Sequence, residues 1–134
     1  MENASGVTVL VVEDEGMIRA LLEDAFEDAG FEAVIAHSGE EALGYLEADA
    51  ARFRAVLTDI RLGGHVDGWQ VAVRARELMP YMPVVYMSGD SAADWRAKGV
   101  PGSTMVVKPF SPTQVVVALA TLLNHPDLSV PPQA

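Results

Sequence analysis

Val7-Thr8-Val9-Leu10-Val11-Val12, followed at once by Glu13-Asp14-Glu15, is the stretch whose reading decides the fold. Apolar except at Thr8, the run is too short for an amphipathic helix and reads as a strand covered on both faces. Such strands belong to parallel sheets sandwiched between helices. The same signature recurs downstream. Residues 31–36 read as a second strand, and residues 54–59, with Ala55, Val56 and Leu57, as a third that again ends in an acid, Asp59. Residues 84–87 run into Ser88-Gly89, and residues 105–107 run into Lys108-Pro109.

Helical periodicity fills the intervals. Ile18, Leu21, Leu22, Ala25, Phe26 and Ala29 share one face of a helix that Gly30 ends. Ser38, with Glu41 three residues on, reads as a capping box opening a helix through Ala42, Leu43 and Leu46. Val71, Ala72, Ala75 and Leu78 mark a third helix, with Pro80 and Pro83 after it. Residues 91–98 read as a short, weakly amphipathic fourth helix closed by Gly99. Ser111, Pro112 and Gln114 supply an N-cap, a first-turn proline and a capping-box glutamine for the last helix, striped by Val115, Val116, Leu119, Leu122 and Leu123. Strands and helices therefore alternate between residues 7 and 124, the pattern of one α/β domain with helices on both faces of a parallel sheet. Residues 1–6 and the proline-containing stretch 125–134 are expected to be loose.

Composition narrows the function. The 134 residues carry 19 acids against 9 Lys and Arg, a formal charge of -10, which argues against nucleic acid as a direct ligand. Without cysteine there is no disulfide or thiolate metal site, and a cytoplasmic location is expected. No apolar run approaches the ~20 residues that span a bilayer, and the first residues lack a signal-peptide pattern. His37, His65 and His125 are too dispersed for a zinc site. Trp69 and Trp95 read as cover for hydrophobic surface or as partner contacts.

In doubly wound sheets, ligands bind beyond the carboxyl ends of the strands. Glu13, Asp14, Asp59, Ser88 and Lys108 all fall there, at the same end of four strands. Taken singly, Asp14 reads equally well as a helix cap, Ser88 as a loop cap and Lys108 as a solvated lysine; joint placement is what singles them out. Three carboxylates brought together raise one another's pKa unless cations compensate, and Lys108 supplies one charge. An all-oxygen donor set favours Mg²⁺, which keeps positions open for a phosphate. A carboxylate nucleophile with a cation on either side and a hydroxyl donor suits in-line phosphoryl transfer to Asp59.

With these elements in order, Val9-Leu10-Val11-Val12-Glu13-Asp14-Glu15, Leu57-Thr58-Asp59, Asp67-Gly68, Ser88-Gly89 and Val107-Lys108-Pro109-Phe110 resemble the receiver domains of two-component response regulators. The resemblance implies a flavodoxin-like three-layer sandwich, with a five-stranded parallel sheet in the order 2-1-3-4-5 and five helices. It implies that Asp59 accepts a phosphoryl group from a sensor histidine kinase or a histidine phosphotransfer protein. Asp14, Asp59 and the backbone carbonyl of Arg61 would then bind Mg²⁺, Glu13 would act through water, Lys108 would pair with phosphoryl oxygens, and the bond to Pro109 would be cis. Ser88 would move toward the phosphoryl group and draw the next loop with it. A downstream protein would read residues 91–124, and the domain would have only phosphotransfer and slow self-dephosphorylation as chemistry.

Three departures from the family pattern stand out. Met105 occupies the place of the aromatic residue that commonly moves with the switch. Tyr86-Met87-Ser88-Gly89 partly resembles the Phe-Ala-Thr-Gly stretch of the FAT GUY receivers, although Asp90 follows, so Tyr86, Met105, Gly89 and Asp90 become the candidate switch residues. The loop from Ile60 to Gly68 has Gly63-Gly64 in place of a proline and one extra residue, which predicts a mobile loop. Arg61 and Asp90 flank the pocket and are placed to bridge its mouth. The leading expectation is a stand-alone receiver, with Met1 arguing mildly against a fragment of a hybrid kinase. A small aspartyl-phosphate phosphatase is disfavoured by Arg61 where a second acid is usual, and a flavin carrier by the acidic pocket.

Overall fold

A computed structural model describes residues 6–124. The stretch 125–134, and residues 1–5 of the stretch 1–6, both expected to be loose, lie outside the described residues. The strands are β1 (Thr8–Val12), β2 (Glu32–Ala36), β3 (Ala55–Asp59), β4 (Val84–Ser88) and β5 (Thr104–Val107). The helices are α1 (Gly16–Ala29), α2 (Gly39–Asp49), α3 (Gly68–Leu78), α4 (Trp95–Lys98) and α5 (Pro112–Leu123). All strand pairs are parallel, in the order β2-β1-β3-β4-β5. This is the flavodoxin-like arrangement, with β3 at the centre between β1 and β4.

Alternation along the buried strands divides the core in two. Leu10, Val12, Val56, Val84 and Tyr86 face one way and pack with Ala42 and Leu46 of α2 and Val71, Ala72 and Ala75 of α3. Val9, Val11, Leu57, Val85 and Met87 face the other, against Leu22 and Phe26 of α1 and Val115, Leu119 and Leu122 of α5. Each fully buried Val or Leu contributes about 1.5–3 kcal/mol of transfer free energy, so these faces hold the layers together.

Local signals explain most helix ends. Ser111 Oγ accepts a hydrogen bond from the Gln114 amide, and Gln114 Oε1 accepts one from the Ser111 amide, with Pro112 beginning α5. Gly30 adopts the left-handed conformation (φ 85°) that ends α1. At Gly68 a Cβ would overlap the Asp59 carbonyl and lie 2.8 Å from Ile60 Cα, so only glycine lets α3 start against the end of β3.

Three expectations need correction. The capping box at α2 is half formed: Ser38 Oγ accepts from the Glu41 amide, but the Glu41 carboxylate turns to the His37 amide and ring instead. The fourth helix is a single α turn, preceded by a 3-10 turn at Ala92–Asp94. Its start has no side-chain cap, because Ser91 Oγ donates to Asp90, and Gly99 is extended (φ -72°) rather than left-handed. Trp69 is not surface cover; it is 9% exposed, with its ring centroid 4.9 Å from that of buried Tyr86.

Candidate functional site

Parallel register aligns the strand ends. Val12 sits opposite both Ala36 and Thr58, Asp59 opposite Met87, and Ser88 opposite Val107. The residues after each strand continue this line: the Glu13 amide donates to Ala36 O, the Ile60 amide to Met87 O and the Lys108 amide to Ser88 O. Backbone pairing therefore brings Glu13, Asp14, Asp59, Ser88 and Lys108 to one edge without help from their side chains.

The three carboxylates converge. Glu13, Asp14 and Asp59 each offer an oxygen within 4.8 Å of the others. Lys108 Nζ lies 2.9 Å from Asp59 Oδ2 and 3.8 Å from Glu13 Oε1. Glu13 Oε2 accepts from the Glu15 amide at 3.0 Å, while Glu13 Oε1 is buried without a hydrogen-bond partner. Burial first, and then the Asp59 charge, together raise the Glu13 carboxyl to a pKa of about 7. Burial also raises Asp59, against the opposing hydrogen bond and charge of Lys108. For Lys108, burial works against the ammonium, but Asp59 and Glu13 overcome it and hold its pKa above the ordinary value.

One lysine does not balance three acids. The donors are all hard oxygens, one of them is buried and unpartnered, and the cluster is compact. This set fits a small divalent cation such as Mg²⁺ and does not suit a thiophilic metal.

Beside this cluster, Asp59, Arg61, Ser88, Gly89, Asp90 and Lys108 line a cavity of about 260 Å³. Ser88 is buried, and its Oγ accepts from the Ser91 amide at 2.7 Å and the Asp90 amide at 3.2 Å. Its O–H remains available to donate. Arg61 Nε lies 2.8 Å from Asp90 Oδ2 and 2.9 Å from Oδ1, across the mouth of the cavity. The Lys108-Pro109 peptide bond is cis.

Tyr86 and Met105 do not line this cavity. They are register partners on β4 and β5, on the α3 side of the sheet. The Tyr86 hydroxyl, fully buried, accepts from the Val100 amide at 3.0 Å. The Gly63-Gly64 loop is tied at two points: the Gly63 amide donates to Asp14 Oδ2, and the His65 amide to Glu40 Oε2. Glu40 escapes sequence reasoning because it looks like an ordinary first-turn acid of α2. Arg19, whose Nη1 donates to the Glu13 carbonyl, escapes it too, since a lone arginine on an amphipathic helix carries no signal.

Among proteins of known structure, a response regulator receiver protein from Sinorhizobium medicae shares 42% of its sequence with this chain. It superposes with a TM-score of 0.87, covering 91% of this chain and 98% of that one. The transcriptional regulatory protein TcrA of Mycobacterium tuberculosis is 31% identical over 130 residues, or 96% of this chain and 50% of that protein. SrrA of Staphylococcus aureus, also described as a transcriptional regulatory protein, is 34% identical over 119 residues, 87% of this chain and 48% of that protein. The chain thus spans about half the length of the curated relatives it matches. The response regulator receiver domain family matches residues 9–120, from the first buried strand into the last helix. A match that takes in all five strands and every acid, hydroxyl and ammonium gathered at their ends means that the chain belongs to the response regulator receiver domain family.

Proposed function

We propose that Asp59 is the phosphoacceptor and that it takes its phosphoryl group from a phosphohistidine on a sensor kinase or phosphotransfer protein in the cytoplasm. One observation carries this reading: the Lys108 ammonium lies 2.9 Å from Asp59 Oδ2 within a three-carboxylate cluster. In the transfer, an Asp59 oxygen bonds to phosphorus as the bond from phosphorus to the donor imidazole breaks, and the imidazole leaves. Lys108 then exchanges part of its contact with Asp59 for a phosphoryl oxygen, and the Ser88 O–H donates to another. Asp14 and Asp59, with the Arg61 backbone carbonyl and with Glu13 through water, would hold Mg²⁺, which when bound supplies positive charge against the carboxylates and the phosphoryl oxygens. Movement of Ser88 would carry Gly89 and Asp90 with it and reach Tyr86 and Met105 by packing. A downstream protein would read the change over residues 91–124, and beyond transfer and slow hydrolysis of its own aspartyl phosphate the domain would catalyse nothing.

The test is to incubate the protein with Mg²⁺ and acetyl phosphate and record intact mass. The wild type should gain one phosphoryl group and Asp59→Asn none. Equal gain by Asp59→Asn, or no gain by the wild type, would sink the proposal; multiple-turnover release of phosphate from a small organic ester would point to a phosphatase.

An apolar groove of about 370 Å³, lined by Ile18, Leu21, Pro109, Phe110 and Pro112, opens beside Lys108. Leu21 is 51% exposed and Met17, one turn earlier, 81%. This is the surface a protein donor would cover while its phosphohistidine reaches Asp59. Leu21→Glu is expected to slow transfer from a phosphorylated histidine phosphotransfer protein about tenfold, the loss typical of a central interface side chain. Uptake from acetyl phosphate, which needs no docking, should stay at the wild-type rate; an equal slowing of both reactions would place the defect in the pocket instead.

A further inference from the structure

Asp14 is the least supported member of the carboxylate cluster. Glu13 and Asp59 are buried, but Asp14 is exposed, so packing does not hold its side chain. Its Oδ2 takes the Gly63 amide at 3.2 Å, from a loop with two adjacent glycines. The direction of Asp14 is therefore set mainly by the backbone from which it springs. The peptide unit joining Glu13 to Asp14 is planar, so a hold on the Glu13 carbonyl also fixes the Asp14 amide and constrains the Cα beyond it. The Glu13 amide still pairs with Ala36, but the Glu13 carbonyl has left the ladder and accepts from Arg19 Nη1 at 3.1 Å.

Arg19 reaches that carbonyl because helical side chains tilt toward the N-terminus. From the fourth residue of α1, this carries the guanidinium back past the helix start. Gly16 leaves room for it, since a Cβ there would lie 3.3 Å from Arg19 Nη2. The α1 start has no side-chain cap at Glu15, whose amide donates to Glu13 Oε2 instead. Two bonds thus bracket Asp14: the Glu15 amide on the Glu13 carboxylate, and the Arg19 guanidinium on the Glu13 carbonyl.

Given the reading above, in which Asp14 and Asp59 hold Mg²⁺, we infer that Arg19 is a positioning residue for the metal. Its hold on the Glu13 carbonyl sets the direction in which Asp14 leaves the backbone, and so the affinity of the pocket for Mg²⁺. Charge alone forecasts the opposite. A guanidinium near three acids opposes a second cation, so its removal would tighten Mg²⁺ binding, and a lysine in its place would weaken it again. Positioning reverses both signs, because a donor on the Glu13 carbonyl is what helps.

The experiment compares the wild type with Arg19→Met, which keeps an apolar stem and removes donors and charge, and Arg19→Lys, which returns the charge and one donating group. Mg²⁺ affinity of the unphosphorylated chain is read from amide NMR shifts during a Mg²⁺ titration, and folding from the melting temperature in EDTA. Arg19→Met should melt near the wild type in EDTA yet bind Mg²⁺ about tenfold more weakly, the low end of the loss on removing a partner of a metal ligand. Arg19→Lys should fall between the two. Half-maximal uptake from acetyl phosphate should need correspondingly more Mg²⁺ in Arg19→Met, with the rate at saturating Mg²⁺ close to the wild type. Equal or tighter Mg²⁺ binding by Arg19→Met, or no recovery by Arg19→Lys, overturns the role of Arg19 alone. So does a marked loss of the saturating rate, or a fall in affinity matched by a collapse of the melting temperature in EDTA. A wild type whose shifts do not respond to Mg²⁺ overturns the metal reading beneath it as well.

Discussion

Lys108→Met is expected to slow phosphoryl uptake by Asp59 a hundredfold or more while leaving the domain folded. The methionine keeps the length and apolar stem of the lysine and removes only the ammonium, which lies 2.9 Å from Asp59 Oδ2 and 3.8 Å from Glu13 Oε1. That charge is placed before reaction where phosphoryl oxygens must be neutralised, so its loss raises the barrier to transfer. Removal of one such preorganised group from an enzyme site typically costs about 10²–10³ in rate. A second effect follows from charge. Lys108 holds Asp59 below the value that burial would otherwise impose, so its removal shifts Asp59 ionisation to higher pH. The uptake rate of the variant should therefore begin to rise at higher pH than in the wild type. Initial rates with acetyl phosphate and Mg²⁺ between about pH 5 and 9 check both parts. A variant within a few-fold of wild type at neutral pH would show that the cation at this position does not carry the chemistry.

Glu13→Gln is expected to stabilise the magnesium-free protein at pH 8 by up to about 3 kcal/mol, a large share of a typical domain's stability. Glu13 is fully buried, and its Oε1 has no partner. Its pKa is raised from an ordinary 4.5 to about 7, first by burial and then by Asp59. Between those values the folded chain binds a proton that the unfolded chain has released, so stability falls as pH rises through this window. The stabilisation that protonation brings is fully present below about 4.5 and lost as pH rises through about 7. Asp59, also raised, acts in the same direction.

A glutamine keeps an oxygen for the Glu15 amide and replaces the orphaned oxygen with an amide that carries no charge. In EDTA, the wild-type melting temperature should climb as pH falls from 8 to 5, and that of Glu13→Gln should climb less. Mg²⁺ should raise the wild type most at pH 8, where the carboxylates are ionised, and raise the variant less. A Glu13→Gln variant that melts below the wild type at pH 8 in EDTA would show that the buried charge is already compensated within the chain.

Much of this was legible before any coordinates. The doubly buried runs at residues 8–12, 55–59 and 84–88 have no helical or half-exposed alternative, so strand type, parallel pairing and helices on both faces follow. Because parallel strands all end on the same side, the identity of the residue after each run already placed the acids, Ser88 and Lys108 along one edge. The cap of α5 was equally local: Ser111 and Gln114 pair across three residues, whatever else the chain does.

What the chain alone leaves open is every choice between near-equal partners. Glu41 had two amides in reach and took His37 rather than Ser38. Ser91 could cap a helix or bond Asp90, and its choice of Asp90 reduced α4 to one turn. Trp69 is an aromatic residue of uncertain side until Tyr86 fills the core beside it. The orphaned oxygen of Glu13 and the closure of Arg61 on Asp90 depend on distances between segments 29 or more residues apart, which periodicity does not encode. The sequence by itself therefore determined the sheet, its layers and the edge where the chemistry gathers, because burial and strand polarity are properties of short runs. Only the tertiary structure decided the charge balance at Asp59 and the state of its mouth. Those are set by which side chains meet across loops, where differences of about 1 kcal/mol select the partner.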